Sequence, residues 1–165
     1  MHTGIDLGFG CTALVTINDD LSLVRETYFG SQISKVYKDL VHEHPATRLL
    51  TYQKALRSHF VTKPQVLGTV VIEEPMGRLM GKSREIIALK GVYLVSVISS
   101  KIRKNQIFLP KPTQIKRIFT GNGKAGKEDI IKRCVELGYN PPNDHAADAF
   151  AMAYMSVIGD VDGLV

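Results

Sequence analysis

Residues 4–29 read GIDLGFGCTALVTINDDLSLVRETYF, and this stretch decides the fold. Apolar and β-branched residues favour strands at Ile5–Leu7, Thr12–Ile17 and Leu23–Phe29. The glycines after the first strand and the run Asn18-Asp19-Asp20 after the second are typical of tight turns. Three strands joined by short turns predict an antiparallel meander at the start of the chain.

The rest of the chain predicts helices that alternate with two more strands. A helical pattern with a break near His44-Pro45 covers 32–60, and apolar periodicity or capping signals predict further helices at 83–100, 113–118, 127–137 and 144–158. The β-branched run 66–72 indicates a buried strand, and 107–110 an edge strand that ends at proline. We therefore expect an α/β fold with a mixed five-stranded sheet flanked by helices, in a single domain over 1–158 with a loose tail at 159–165.

Composition is that of an ordinary soluble globular domain, with 165 residues, 44% hydrophobic and 22% charged. The sequence shows neither a signal-peptide pattern nor an apolar run of about 18 residues, so we expect a cytoplasmic protein, not secreted and not associated with a membrane. Cys11 and Cys134 fit no zinc or disulfide framework, and we interpret them as buried reduced thiols.

The positive charge is concentrated in one segment. Residues 101–133 contain ten lysines and arginines but only Glu128 and Asp129 as acidic residues, whereas the rest of the chain is net acidic. Such a stripe suits a polyanion, most simply nucleic acid, although a solvated basic face is an equally good interpretation of charge alone.

Four polar residues stand on elements that are otherwise apolar or helical. Asp6 interrupts the first strand, Glu73 ends the run Val70–Glu73, and His145 and Asp148 share one face of the last helix. Carboxylates are rarely buried unless they are paired or bind a metal, so we expect these four side chains to form one metal site. Individually, Asp6 could be a turn residue and His145 a surface histidine. Asp144 is expected to be the N-cap of the last helix.

An acidic site of this kind suits hard divalent cations. Carboxylates suit Mg²⁺, and the imidazole nitrogen is more at home with Mn²⁺. Two such ions, about 3.5–4 Å apart, can activate water and stabilise the leaving oxygen in phosphodiester cleavage. We therefore expect a metal-dependent hydrolase that uses Mg²⁺ or Mn²⁺, with two ions in each active site.

The segment 121–126, GNGKAG, is rich in glycine but is not a Walker A motif, because it lacks Gly-Lys-Ser/Thr at the required spacing. Its backbone could approach a DNA phosphate, with Lys124 and Lys127 supplying charge. The alternative interpretation is a mobile turn between two helices.

Taken in order, these motifs resemble the RuvC-type Holliday-junction resolvases of the RNase H-like nuclease superfamily. Gly4–Gly8 is similar to the first-strand motif with its metal-binding aspartate, and Val71–Glu73 to the motif that supplies a glutamate. Residues 112–123 resemble the basic segment and glycine loop, and His145–Ala149 matches the last-helix motif, whose first position is Asp or His.

The resemblance implies an RNase H-like fold, a homodimer and paired nicks across a four-way DNA junction. It implies metal ligands at Asp6, Glu73, His145 and Asp148. Lys116 and Lys127 match positions where the family has DNA-contacting or catalytic lysines. We expect DNA contacts from four side chains of the basic stripe and from one methionine: Lys116, Arg117, Lys124, Lys127 and Met76.

Two departures from the family pattern stand out. The segment between Phe29 and Val66 is longer than usual, and Met76 stands where the family often carries an aromatic that stacks on a junction base. The broad apolar surface of 86–97 is expected to contribute to the dimer interface.

Other functions are compatible with the same residues. One is a related nuclease for other branched DNA or an RNA–DNA hybrid, and another is a catalytically idle junction-binding module. A sugar-kinase or actin-like ATPase shares the Asp6–Gly8 and Thr12 pattern, but 165 residues cannot supply its two large domains.

Overall fold

Five strands form one mixed sheet in the order β3-β2-β1-β4-β5 within the part of the chain that is described. The structure, a computed structural model, describes residues 1–8, 10–30, 32–39, 44–62, 68–74, 87–94 and 107–159. The strands are β1 (His2–Asp6), β2 (Thr12–Ile17), β3 (Leu23–Phe29), β4 (Thr69–Ile72) and β5 (Ile107–Phe108). The helices are α1 (Lys35–Asp39), α2 (Pro45–Thr62), α3 (the helical residues 87–94), α4 (Pro112–Thr120), α5 (Lys127–Glu136) and α6 (Asp144–Val157).

The meander and the mixed sheet predicted from sequence are confirmed. β1 pairs with β2 and β2 with β3 in antiparallel fashion, with a register irregularity between Thr16 and Ile17. β4 enters on the other side of β1, parallel to it, and β5 adds in parallel at the edge. Since β1 and β4 are parallel neighbours, their carboxyl ends lie at the same edge of the sheet, where α/β proteins commonly build their sites.

Each face of the sheet has its own core because successive strand residues point to opposite sides. On one face, Ala13, Val15 and Val71 pack against α4, α5 and the small residues of α6. On the other face, Ile5, Leu14 and Ile72 pack against α2 and α3. A residue's position along β1 or β4 therefore decides which set of helices it meets.

Helix α6 lies directly on β1, antiparallel to it. A Cβ at Gly4 would fall 1.8 Å from the carbonyl oxygen of Ala149, so only glycine fits there. At the other end of the pair, His2 Nδ1 lies 2.9 Å from the hydroxyl of Ser156. This close approach explains the alanine-rich surface of α6, and it brings the start of α6 to the end of β1.

The boundaries of β2 and β3 match the sequence prediction, and both cysteines are free and buried as expected. One prediction was wrong: the N-cap of α6 is Asn143, whose side chain accepts a hydrogen bond from the Ala146 amide, while Asp144 is already inside the helix. β4 begins at Thr69, directly after Gly68, which has a positive φ of 47°, and the predicted strand residues 66–67 lie outside the described residues. The predicted helical residues 83–86 and 95–100 and the tail 160–165 lie outside the described residues. None of the described helices is long and apolar enough to cross a membrane.

Candidate active site

Two carboxylates lie side by side at the shared end of β1 and β4. Asp6 is the last residue of β1, and Glu73 follows β4 directly. The parallel register pairs Ile5 with Ile72, so one further step places Asp6 beside Glu73. Asp6 lies two residues after Gly4, and Glu73 lies two residues after Val71. Because Gly4 and Val71 face α6, Asp6 and Glu73 lie on that same face of the sheet. The strands thus present two neighbouring carboxylates to the start of α6.

The first turn of α6 adds an imidazole and a third carboxylate. His145 Nδ1 lies 2.7 Å from Asp6 Oδ2, and the two side chains are 32% and 19% exposed. An ionised carboxylate only accepts hydrogen bonds, so Nδ1 must carry the proton in this contact. In the neutral imidazole, Nε2 then keeps its lone pair for a metal ion, the arrangement common among metal-ligating histidines.

Glu73 and Asp148 both lie where burial and neighbouring carboxylates disfavour the ionised form. Burial, followed by the charges of Asp6 and Asp148, raises the pKa of Glu73 to about 7. Burial, followed by the charges of Asp6 and Asp144, raises the pKa of Asp148 to about 6. The hydrogen bond to Asp6 raises the pKa of His145. A divalent cation among these groups would relieve the repulsion, so their chemistry fits a hard metal ion.

The four candidate side chains do not surround a single point. Within the described ranges, no three His, Cys, Asp or Glu side chains are arranged so that they could hold one ion together. His145 instead bonds directly to Asp6.

Asp144 makes a different contact from its neighbour His145. Its Oδ2 accepts a hydrogen bond from Lys127 Nζ at the start of α5, and this contact lowers the pKa of Asp144 and raises that of Lys127. Its charge still acts on the site, because it raises the pKa of His145 and Asp148. Asp144 is therefore a flanking charge that is already paired with a lysine.

Two lysines act on the carboxylates from opposite faces of the sheet. Lys116 on α4 lowers the pKa of both Glu73 and Asp148 through its charge, so it lies within electrostatic range of the site. Lys90 on α3 is only 7% exposed, and its Nζ donates to the main-chain carbonyl of Glu73 at 3.2 Å. Burial lowers the pKa of Lys90, while the charges of Glu74 and Glu73 raise it.

The sequence analysis did not identify Lys90, because the predicted helix 83–100 was interpreted by its apolar residues alone. The sequence signal that could have identified Lys90 is a single lysine between the apolar residues Leu89 and Tyr93. Both of these residues are fully buried in the structure.

The other predicted DNA-contacting residues lie outside the carboxylate cluster. Arg117, Lys124 and Lys127 are exposed on α4, the following loop and α5, and Met76 lies outside the described residues. Lys127 is already paired with Asp144, and Arg133 of the same basic stripe with Glu136 at 3.0 Å. The basic stripe is thus less uniformly positive than its sequence indicates.

Comparison with known proteins gives one consistent result. The family described as "Crossover junction endodeoxyribonuclease RuvC" matches residues 4–156. A curated protein of that name from Prochlorococcus marinus (strain MIT 9301) is 34% identical over 71 residues, which cover 41% of this chain and 43% of the relative. The aligned stretch thus spans less than half of that relative's length.

Two solved structures have a similar fold. Thermus thermophilus RuvC has a TM-score of 0.72 at 20% identity, covering 98% of this chain and 96% of its own. T. thermophilus RuvC in complex with a Holliday junction substrate has a TM-score of 0.75 at 19% identity, covering 98% and 95%. At this level of identity the likeness establishes the RNase H-like fold. Because the family match covers nearly the whole chain, the protein belongs to the RuvC family of crossover junction endodeoxyribonucleases.

Proposed function

We propose that this chain is a metal-dependent endonuclease that resolves four-way DNA junctions by paired phosphodiester nicks. The observation that carries the proposal is that Asp6, Glu73 and Asp148 converge from separate elements, where burial and neighbouring carboxylates raise the pKa of Glu73 to about 7 and that of Asp148 to about 6. Perturbed carboxylates that converge from separate elements are a mark of functional sites. The RuvC family match, and the structural similarity to T. thermophilus RuvC in complex with a Holliday junction substrate, support the choice of substrate.

In this proposal Asp6, Glu73, His145 and Asp148 hold Mg²⁺ or Mn²⁺, with two ions in each site. When bound, such ions supply an activated water and stabilise the leaving oxygen. The protein's contribution is to keep three carboxylates together at the end of β1 and β4. The contact between His145 and Asp6 fixes the imidazole, so its Nε2 is the nitrogen offered to a metal.

The DNA-binding surface in this proposal consists of the basic side chains beside the carboxylates. Lys116 lies close enough to influence Glu73 and Asp148, which suits a cation beside the reacting phosphate. Arg117 and Lys124 extend the positive surface, and Met76 is proposed to contact a junction base. Lys127 must exchange Asp144 for a phosphate before it can bind DNA.

Paired nicks require two active sites, so we propose a homodimer in the cytoplasm, with residues 1–158 of each copy as the nuclease domain. The apolar segment 86–97, of which α3 is the described part, is the proposed contact. In α3, Leu89 and Tyr93 pack in the core, whereas Ile87 is 41% exposed and available to a second copy.

A substrate panel tests the proposed function. The protein would be incubated with a synthetic four-way junction, a linear duplex of matched sequence and an RNA–DNA hybrid, each with Mg²⁺ or Mn²⁺ and with EDTA as the control. We expect metal-dependent nicks in the junction far in excess of those in the other two. Preference for the hybrid would identify a different nuclease, and binding to the junction without cleavage in either metal would identify a binding module.

A further inference from the structure

The peptide bond between Glu73 and Glu74 is held from both sides. The Glu74 amide donates to the carbonyl of Pro110 at 2.7 Å, which continues the parallel pairing of β4 with β5. The carbonyl of Glu73 accepts from Lys90 Nζ at 3.2 Å. In a trans peptide the carbonyl and the amide point in opposite directions, so the two bonds fix the plane between them.

This plane controls where the Glu73 side chain points. The orientation of the peptide plane sets the backbone angle ψ of Glu73. That angle in turn sets the direction of the Glu73 side chain relative to the sheet. The pairing of β1 with β4 ends at Ile5 and Ile72, one step before Glu73. The carbonyl of Glu73 points away from β5, toward the side where this pairing has stopped. The ammonium group of Lys90 therefore supplies a donor just beyond the end of the β1–β4 ladder.

The burial of Lys90 makes its contact with the Glu73 carbonyl costly in free energy. Among the described residues, Lys90 is the one lysine that is buried, and it lies on α3 beside Leu89 in the core of the face opposite α6. Taking an ammonium group out of water costs free energy that one carbonyl acceptor and the nearby charges of Glu73 and Glu74 offset only in part, and an apolar residue of similar length would avoid that cost.

We propose that Lys90 is a positioning residue for Glu73: from the back of the sheet it fixes the backbone that aims the Glu73 carboxylate at the site, and its charge offsets part of the repulsion among the carboxylates. Lys90 does not touch the reacting atoms. The inference rests on the proposed function in one respect, since it takes Glu73 to be a metal ligand.

The test compares Lys90→Met, which keeps the length but loses the donor and the charge, with Lys90→Arg, which keeps both. Leu89→Val is the matched control, because it weakens the packing of the same helix without touching Glu73. Three quantities would be measured: amide hydrogen exchange at Glu74, Mn²⁺ affinity by calorimetry without DNA, and kcat and KM on a four-way junction.

For Lys90→Met we expect faster exchange at Glu74, a loss of roughly 10–100-fold in Mn²⁺ affinity or kcat, and a KM within about twofold of the wild type. Lys90→Arg should lie closer to the wild type in all three, and Leu89→Val should lower the melting temperature without these changes. Wild-type kcat and Mn²⁺ affinity in Lys90→Met would overturn the inference, as would equal losses in Lys90→Met and Leu89→Val.

Should Lys90→Met fail to fold, the Lys90→Arg variant and the exchange rate of the Glu74 amide in the wild type decide the matter. An unprotected Glu74 amide would contradict a fixed peptide plane between Glu73 and Glu74. A wild type that cleaves no junction would refute the proposed function alone, because exchange and Mn²⁺ binding still report on Lys90.

Discussion

Replacing Glu73 with glutamine should stabilise the metal-free protein while abolishing its activity. The pKa of Glu73 rises from its usual 4.5 to about 7 on folding, chiefly through burial and the charge of Asp6. A tenfold change in proton affinity is worth ~1.4 kcal/mol, so the ionised side chain costs the folded state about 3 kcal/mol at pH 8. The protonated side chain does not carry this cost, so the corresponding stability is fully present below pH 4.5 and is lost as the pH rises through 7. Glutamine carries no charge, so Glu73→Gln should gain about 1–3 kcal/mol at pH 8, with the amide's own burial accounting for the lower limit.

The assay is urea denaturation in EDTA at pH 8 and pH 5, with Glu74→Gln as the control because Glu74 is adjacent but exposed. Most of the gain from Glu73→Gln should vanish at pH 5, where the folded wild type already binds the proton. Added Mn²⁺ should stabilise the wild type but not the variant. A stability difference that is the same at both pH values, or one shared by Glu74→Gln, would refute the argument that burial and neighbouring carboxylates raise the pKa of Glu73.

Three further predictions test the fold, the ligand set and the DNA surface. Gly4→Ala should destabilise the protein by about 3 kcal/mol in thermal or chemical unfolding, because the added Cβ meets the Ala149 carbonyl at 1.8 Å, whereas Gly91→Ala, with nothing within 4 Å, should be neutral or slightly stabilising. His145→Ala should lose most junction cleavage and Asp144→Asn should keep it, because His145 touches Asp6 while Asp144 is paired with a lysine; the reverse order would make Asp144 the ligand. Junction affinity should fall with salt at a log–log slope of roughly −0.9 per phosphate contact, and Lys124→Ala should reduce that slope by about 1, whereas an unchanged slope would remove Lys124 from the interface.

The meander and the acidic positions were predictable from sequence because their signals are local. Alternating apolar residues and turn residues define β2 and β3 without reference to the rest of the chain. Asp6 and Glu73 each interrupt or end an apolar run, so their partial burial could be anticipated. That the two strands are parallel neighbours follows from topology, which the family resemblance supplied.

Contacts between distant elements could not be predicted in the same way. Lys90 meets the carbonyl of Glu73 only because α3 packs beneath the end of β4, and the amino-acid pattern of α3 shows just a lysine in an apolar helix. Similarly, the contact of Lys127 with Asp144 joins the starts of two helices. The misassigned N-cap of α6 has a local cause: Asn143 and Asp144 both suit that position, and backbone geometry selected Asn143.

Mapping the nicks in a synthetic four-way junction tests the central claim most directly. Wild type and Asp148→Asn would be compared in Mg²⁺ and in Mn²⁺, with binding measured in parallel. We expect the wild type to cut two opposing strands at symmetrical positions and Asp148→Asn to bind the junction but leave it intact. Cleavage by Asp148→Asn at the wild-type rate, or an uncut junction with the wild type in both metals, would contradict the assignment of this carboxylate cluster as the active site of a junction-resolving nuclease.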